Sequence, residues 1–92
     1  MRKLDLANAV REKVGGLSKK ETAELIDVLL DTIRETLVSG EEVKIGGFGT
    51  FSVRQKRERK GRNPHTGGEL LISARRVLSF RPSQLLRDQL NP

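Results

Sequence analysis

The sequence contains no cysteine, no tryptophan and no tyrosine, and it has a single histidine, His65. Without cysteine there is no disulfide and no thiolate zinc site. A lone histidine leaves no nucleophile–base pair or metal site to be built, so we expect neither an enzyme nor a bound metal, cofactor or small-molecule substrate. Three phenylalanines are the only aromatic residues. Because so small a domain buries proportionally little surface, we expect a core that is shared within an oligomer.

Long apolar runs are also missing. After the basic start Met1-Arg2-Lys3, charged residues interrupt the segment as far as Val14. No apolar run there suffices for a signal peptide or a membrane span. We therefore expect a soluble, cytoplasmic protein.

Acidic residues become scarce in the second half of the chain. Residues 1–50 carry 8 Lys or Arg against 9 Asp or Glu, whereas residues 51–92 carry 10 against 3. The net charge of +6 therefore arises entirely in the second half. Such asymmetry favours a polyanionic partner, either nucleic acid or an anionic membrane.

The first half of the chain predicts two helices. Residues 4–14 show the helical spacing of apolar side chains, and Gly15-Gly16 ends that helix. Ser18 is a good N-cap, and Glu21 completes a capping box for a second helix over residues 19–38. Apolar residues cover about 200° of the circumference of the second helix, whereas a surface helix needs an apolar stripe of only about 100°. We therefore expect this helix to be buried on two sides, against its own chain and against a partner.

A period-two pattern follows the helices. Residues 43–45 predict a short strand and Gly46-Gly47 a turn, while Gly49 marks a bulge or a close approach of two backbones. Alternating apolar residues over 72–80 predict another strand. Residues 83–90, which follow a proline, predict a short closing helix.

Residues 54–69 differ from the rest because polar residues occupy both odd and even positions, which leaves a strand here without an apolar face. Their cations are Arg54, Lys56, Arg57, Arg59, Lys60 and Arg62. The central segment 63–67, Asn-Pro-His-Thr-Gly, has the composition of a hairpin turn. The pattern predicts a ribbon of about 10 residues per side that projects roughly 30–35 Å and is mobile beyond its base.

The length and charge of this ribbon suit the minor groove of double-stranded DNA, which is about 6 Å wide and must open to admit it. Pro64 stands at the tip, and an apolar ring without a donor is able to wedge between base pairs and kink the duplex. A charge run alone is usually solvated surface, and a proline alone is ordinary in a turn. Their combination between two strands is what predicts DNA binding.

Three motifs resemble the bacterial HU/integration host factor family of nucleoid proteins. They are Gly47-Phe48-Gly49-Thr50-Phe51, Gly61-Arg62-Asn63-Pro64-His65-Thr66-Gly67 and Ser79-Phe80-Arg81-Pro82. The resemblance extends over essentially the whole chain, and residues 73–82 are more similar to the integration host factor alpha-subunit branch than to HU.

The resemblance implies an α+β fold in an intertwined dimer, with either a second copy or a related subunit as the partner. The expected elements are an N-terminal two-helix hairpin, a three-stranded antiparallel sheet extended into a long β-ribbon arm, and a short C-terminal helix. Residues 1–92 would form a single DNA-bending domain, with a dimerisation body (1–53 and 76–92) and a DNA-binding arm (54–75).

The resemblance also implies a function and a set of site residues. The function is that of a nucleoid-associated architectural protein, which bends double-stranded DNA in compaction, recombination, replication and transcription regulation. Pro64 would intercalate, with Arg59, Arg62 and Asn63 in the minor groove nearby. The residues expected along the DNA backbone are Arg57, Lys60, Arg75 and Arg76 on the arm, and Lys3, Gly46, Gly47 and Ser83 on the body. Arg54, Lys56 and Arg81 complete the expected DNA-binding set.

Four alternative functions fit the residues less well. A helix-turn-helix regulator would bring residues 18–39 to phosphate, yet that segment carries 3 Lys or Arg against 5 Asp or Glu. Asp27 and Asp31 have the spacing of paired catalytic carboxylates, but a solvated helix face explains them more simply. RNA binding fits poorly because an A-form duplex does not suit a wedging arm and no aromatic stacking platform is evident. A membrane role would need an apolar face that the basic segment lacks.

Overall fold

The computed structural model describes residues 1–92, and its elements follow the predicted order. They are α1 (Lys3–Val14), α2 (Lys19–Val38), β1 (Val43–Ile45), β2 (Gly49–Lys56), β3 (Arg59–Arg62), β4 (Glu69–Ile72), β5 (Arg75–Pro82) and α3 (Gln84–Leu90). The predicted α+β class is confirmed, with a helical hairpin, an antiparallel sheet, a ribbon and a closing helix. No helix combines the length and the apolar character that a membrane crossing requires.

The helical hairpin forms where local signals place it. Gly15 ends α1 with a φ of 70°, a conformation that side-chain-bearing residues rarely adopt. At the start of α2, the Glu21 N–H donates to the Ser18 hydroxyl over 3.0 Å, and the Ser18 N–H donates to the Glu21 carboxylate over 3.1 Å. This reciprocal pair is the predicted capping box. The Ser18 backbone N–H, helped by its hydroxyl, lowers the pKa of Glu21 below its usual value.

Two antiparallel ladders make up the β structure. The first is a three-stranded sheet in the order β1-β2-β5, and the second is the β3-β4 ribbon. The last pair of the sheet joins Lys56 to Arg75, and the first pair of the ribbon joins Arg59 to Ile72. Two residues separate the ladders on each strand, so the register continues unchanged from the sheet into the ribbon.

At Gly49 the sequence predicted either a bulge or a close approach of two backbones. It pairs in regular register with Ile45 on one side and Pro82 on the other, so no bulge is present. A Cβ atom at this position would lie 2.6 Å from the Phe80 ring and 2.7 Å from the carbonyl oxygen of Arg81. The close approach is therefore the reason for glycine here.

The core of the single chain is small. The rings of Phe51 and Phe80 lie 4.6 Å apart between centroids, and Phe48 lies 5.5 Å from Phe80. Only four of the 92 residues are buried. On α2, Leu25 and Leu29 remain 55% exposed and Val28 remains 62% exposed. The wide apolar face of α2 is thus covered on one side only within this chain.

The ribbon extends well away from the body. A compact chain of this length has a radius of gyration of about 12 Å, whereas this chain has one of 18.9 Å and a longest dimension of 60 Å. The expectation that the arm has no apolar face is wrong, because the return strand β4 carries Leu70 and Ile72 on the face of Gly61. A Cβ atom at Gly61 would lie 2.8 Å from Ile72, so the glycine makes room for that side chain.

Candidate nucleic-acid interface

One face of the three-stranded sheet is polar. Lys44 of β1 lies opposite Thr50 of β2, which lies opposite Arg81 of β5. Side chains of a strand alternate between the two faces, so every second residue joins this face. The cleft on it is lined by Glu42, Lys44, Thr50, Ser52, Arg54, Ser79 and Arg81, none of which is apolar.

The same alternation extends this face toward the arm. Arg54 and Lys56 follow on β2, and Arg75 lies opposite Lys56 on β5. Beyond the break in the ladder, Lys60 and Arg62 share one face of the ribbon, whereas Arg59 lies on the other face with Ile72. Lys60 and Arg62 share their face with Leu71 and Glu69, and Arg59 shares its face with Leu70 and Ile72. Each face of the ribbon therefore combines cations with apolar side chains.

The positive charge of the arm is not neutralised within the chain. Residues 54–75 contain 7 Lys or Arg against 2 Glu. The chain has two ion pairs, Lys3–Asp27 and Arg34–Asp31, and both connect residues of the helices. Every arm cation thus lacks an acidic partner, which leaves the ribbon available to an external polyanion.

The tip of the arm is a four-residue loop closed by hydrogen bonds. The N–H of Asn63 donates to the carbonyl of Gly68, and the N–H of Gly67 donates to the carbonyl of Asn63, each over 2.8 Å. The His65 N–H donates to Oδ1 of Asn63 over 2.9 Å, and Gly67 takes a φ of 70°. The predicted turn is confirmed. These bonds hold Pro64 exposed at the far end of the ribbon.

Three predicted body residues come together at the base of the sheet. Gly46 and Gly47 form the turn between β1 and β2, and Gly47 has a φ of 76°. The N–H of Ser83, the N-cap of α3, donates to the carbonyl of Phe48 in the same turn over 2.9 Å. The Ser83 hydroxyl accepts from the N–H of Leu86 over 3.1 Å. This turn and the start of α3 form one surface.

Two predicted site residues have partners within the chain. The Lys3 ammonium lies 2.7 Å from the carboxylate of Asp27, and both side chains are more than half exposed. The Arg76 guanidinium donates to the backbone carbonyls of Leu37 and Val38, over 3.2 Å and 3.0 Å. The structure therefore brings the Arg76 guanidinium to the end of α2, and the DNA-backbone contact that the resemblance implies for it stays a prediction.

Four further residues of the polar face, Lys44, Thr50, Ser52 and Ser79, were not among the predicted site residues. Each shares the polar face with Arg54 and Arg81. The signal for them was strand parity: once Phe51 and Phe80 are assigned to the core, alternate residues must lie on the opposite face.

An unpaired cationic ribbon on a small helical body defines a β-ribbon nucleic-acid-binding protein. A comparison with protein families matches residues 1–91 to the family described as bacterial DNA-binding protein. The chain therefore belongs to this family, the HU/integration host factor family. Its members are DNA-binding architectural proteins and not enzymes.

Individual relatives agree with this assignment. Integration host factor subunit alpha of Anaeromyxobacter sp. (strain Fw109-5) is 59% identical to the chain, over 99% of this chain and 91% of that protein. The subunit alpha of Myxococcus xanthus (strain DK1622) is 58% identical, over 99% and 70% of the two chains. Among solved structures, Anabaena HU in a cocrystal with DNA superposes with a TM-score of 0.87 at 38% identity, covering 100% and 99% of the two chains.

Proposed function

We propose that this chain binds double-stranded DNA in the minor groove and bends it, with the arm (residues 54–75) as the binding element. The observation that carries the proposal is the ribbon of unpaired cations that ends in an exposed proline. Phosphate contacts from such a ribbon depend little on base sequence. Any sequence preference would therefore arise mainly from how easily the duplex deforms.

Pro64 is the wedge in this proposal. Its ring has no N–H to donate, and the hydrogen bonds of Asn63 and Gly67 close the loop that carries it. Insertion of an apolar ring between base pairs costs about a few kcal/mol per kinked step. Phosphate contacts that the bend brings against the body offset this cost. The polar face with Lys44, Arg54 and Arg81 is suited to receive the bent duplex.

The body (residues 1–53 and 76–92) would form an intertwined dimer, with a second copy or a related subunit. The exposed apolar side chains of α2 support this, because Leu25, Val28 and Leu29 remain more than half exposed within the chain. Large exposed apolar patches are uncommon on soluble monomers and mark interaction surfaces. A dimer would carry two arms, one for each side of the same duplex.

The DNA contacts are assigned to two groups of residues. Arg59, Arg62 and Asn63 contact the minor groove on the side of the arm that leads to the wedge. The phosphate contacts along the arm and body come from Arg54, Lys56, Arg57, Lys60, Arg75, Arg81, Lys3, Gly46, Gly47 and Ser83. In the cell, the protein would act in the bacterial nucleoid, in DNA compaction, recombination, replication and transcription regulation.

The wedge is tested by Pro64→Ala, with His65→Ala in the same loop as the matched control. Energy transfer between dyes at the ends of a short duplex measures the bend angle, and titration of the same duplex measures affinity. We expect Pro64→Ala to reduce the bend angle more than the affinity, and His65→Ala to leave the bend unchanged. Equal bend angles for Pro64→Ala and the unaltered chain would refute the wedge. Equal affinity for double-stranded RNA would refute a DNA-specific arm.

A further inference from the structure

The C-terminal end of α2 has no basic residue of its own in its last turn. Its carbonyls carry the partial negative charge of a helix C-terminus, which favours a nearby cation. Arg76 supplies that cation from the sheet, through its bonds to the carbonyls of Leu37 and Val38. No other side-chain hydrogen bond joins either long helix to the sheet.

Arg76 lies at the root of the arm. It pairs with Gln55 in the sheet, and the next pair outward, Lys56 with Arg75, is the last before the ladder breaks. Gly40, with a φ of 91°, follows α2, and a Cβ atom there would come within 3.8 Å of the Arg76 guanidinium. The bonds therefore attach the arm root to a helix that ends 38 residues earlier in the chain.

The direction of the arm is sensitive to small changes at this root. The nine residue-to-residue steps from Gln55 to Pro64 span about 30 Å at roughly 3.3 Å per step. A rotation of about 10° at the root would move the tip by about 5 Å, close to the ~6 Å width of the minor groove. The angle at the root therefore decides how closely the arm is aligned with the groove before it binds.

We propose that Arg76 is a positioning residue, which sets the direction of the arm relative to the helical body by capping α2. This inference rests on the proposed function, since the arm matters only as a DNA-binding element. It gives Arg76 an effect on bending without a contact to DNA. The neighbouring Arg75 is exposed on the opposite face and is the matched control for a phosphate contact.

The first measurement concerns the free protein. Because the chain has no cysteine, Thr66→Cys at the arm tip and Glu12→Cys on α1 introduce two unique sites for spin labels. Labelled chain is diluted with unlabelled chain, so that each assembly holds one labelled copy, and pulsed electron spin resonance gives the distance distribution. We expect Arg76→Gln to shift or broaden that distribution, Arg76→Lys to restore it in part, and Arg75→Gln to leave it unchanged.

The second measurement concerns the DNA complex. We expect Arg76→Gln to reduce the bend angle while the slope of log affinity against log salt stays the same. Arg75→Gln should reduce that slope by about one, because it loses one phosphate contact. Circular dichroism verifies that each variant is folded, and Arg76→Lys, which keeps the charge, serves if Arg76→Gln does not fold.

Two results would overturn the inference. One is an unchanged distance distribution for both Arg76 variants, and the other is a salt slope reduced by about one in Arg76→Gln with no change in bend angle. The proposed function fails separately, if the unaltered chain does not bend DNA. In that case the distances in the free protein still decide whether Arg76 positions the arm.

Discussion

Gly49→Ala tests whether the close approach of two backbones fixes the base of the sheet. The added Cβ would lie 2.6 Å from two carbons of the Phe80 ring and 2.7 Å from the Arg81 carbonyl oxygen. Favourable carbon–carbon contacts are about 3.5–4.0 Å, so the surroundings must yield by about 1 Å. Gly49 has no left-handed backbone conformation, so the effect tested is one of space rather than of φ.

Both neighbours of Gly49 are restrained by other contacts, although Phe80 remains 40% exposed. The Phe80 ring packs 4.6 Å from the Phe51 ring, and Arg81 pairs with Thr50 in the β2-β5 ladder. Overpacking a well-packed core usually costs about 1–3 kcal/mol. Because one obstacle is backbone, we expect the upper half of that range, about 2–3 kcal/mol. For a domain of this size, such a loss lowers Tm by about 10–20 °C.

Gly46→Ala is the control for this prediction. An added Cβ there meets nothing within 4 Å, and the backbone is not in the left-handed region. We expect its stability to stay within about 0.5 kcal/mol of the unaltered chain. Chemical and thermal unfolding are compared at one protein concentration, because an oligomer's stability depends on concentration. If Gly49→Ala proves as stable as Gly46→Ala, the steric argument is wrong.

Two further predictions concern charge. Arg62→Ala should weaken DNA binding and reduce the slope of log affinity against log salt by about one, because one phosphate contact is lost; titrations at several salt concentrations check this, and an unchanged slope would contradict it. The hydrogen bonds from Ser18 lower the pKa of Glu21 in the folded state, so its stabilising contribution is present at neutral pH and is lost as the pH falls through that lowered pKa. Unfolding curves of Glu21→Gln should therefore lose stability less steeply than those of the unaltered chain on acidification, and parallel curves would refute the role of the capping box.

Local sequence signals predicted the helices and the arm turn closely. Ser18 with Glu21 defines the start of α2, and Gly15 defines the end of α1, because capping involves residues within one turn of each other. The tip was predictable for the same reason, since Asn63 and Gly67 close the loop through short-range hydrogen bonds.

Features that depend on distant residues were not predictable from the sequence. Arg76 caps α2 through bonds to two residues that precede it by 39 and 38 positions in the chain, and no local pattern links them. The packing of Ile72 over Gly61 likewise depends on the register of the ribbon strands, and composition does not specify that register. The charge pattern therefore indicated that the arm binds a polyanion, but it did not indicate which side chains share a face.

The register that determines those faces is fixed far from the arm tip. Phe51 lies opposite Phe80 in the core, and the pairing continues in step to Arg62 opposite Glu69. A slip of one residue would move every side chain of a strand to the opposite face. It would bring Arg54 or Arg81 into the core and move a phenylalanine out of it. Packing between the phenylalanine rings therefore disfavours such a slip. The aromatic cluster in the body thus selects which cations of the β2-β5 ladder face outward, and the unchanged register carries that selection into the ribbon.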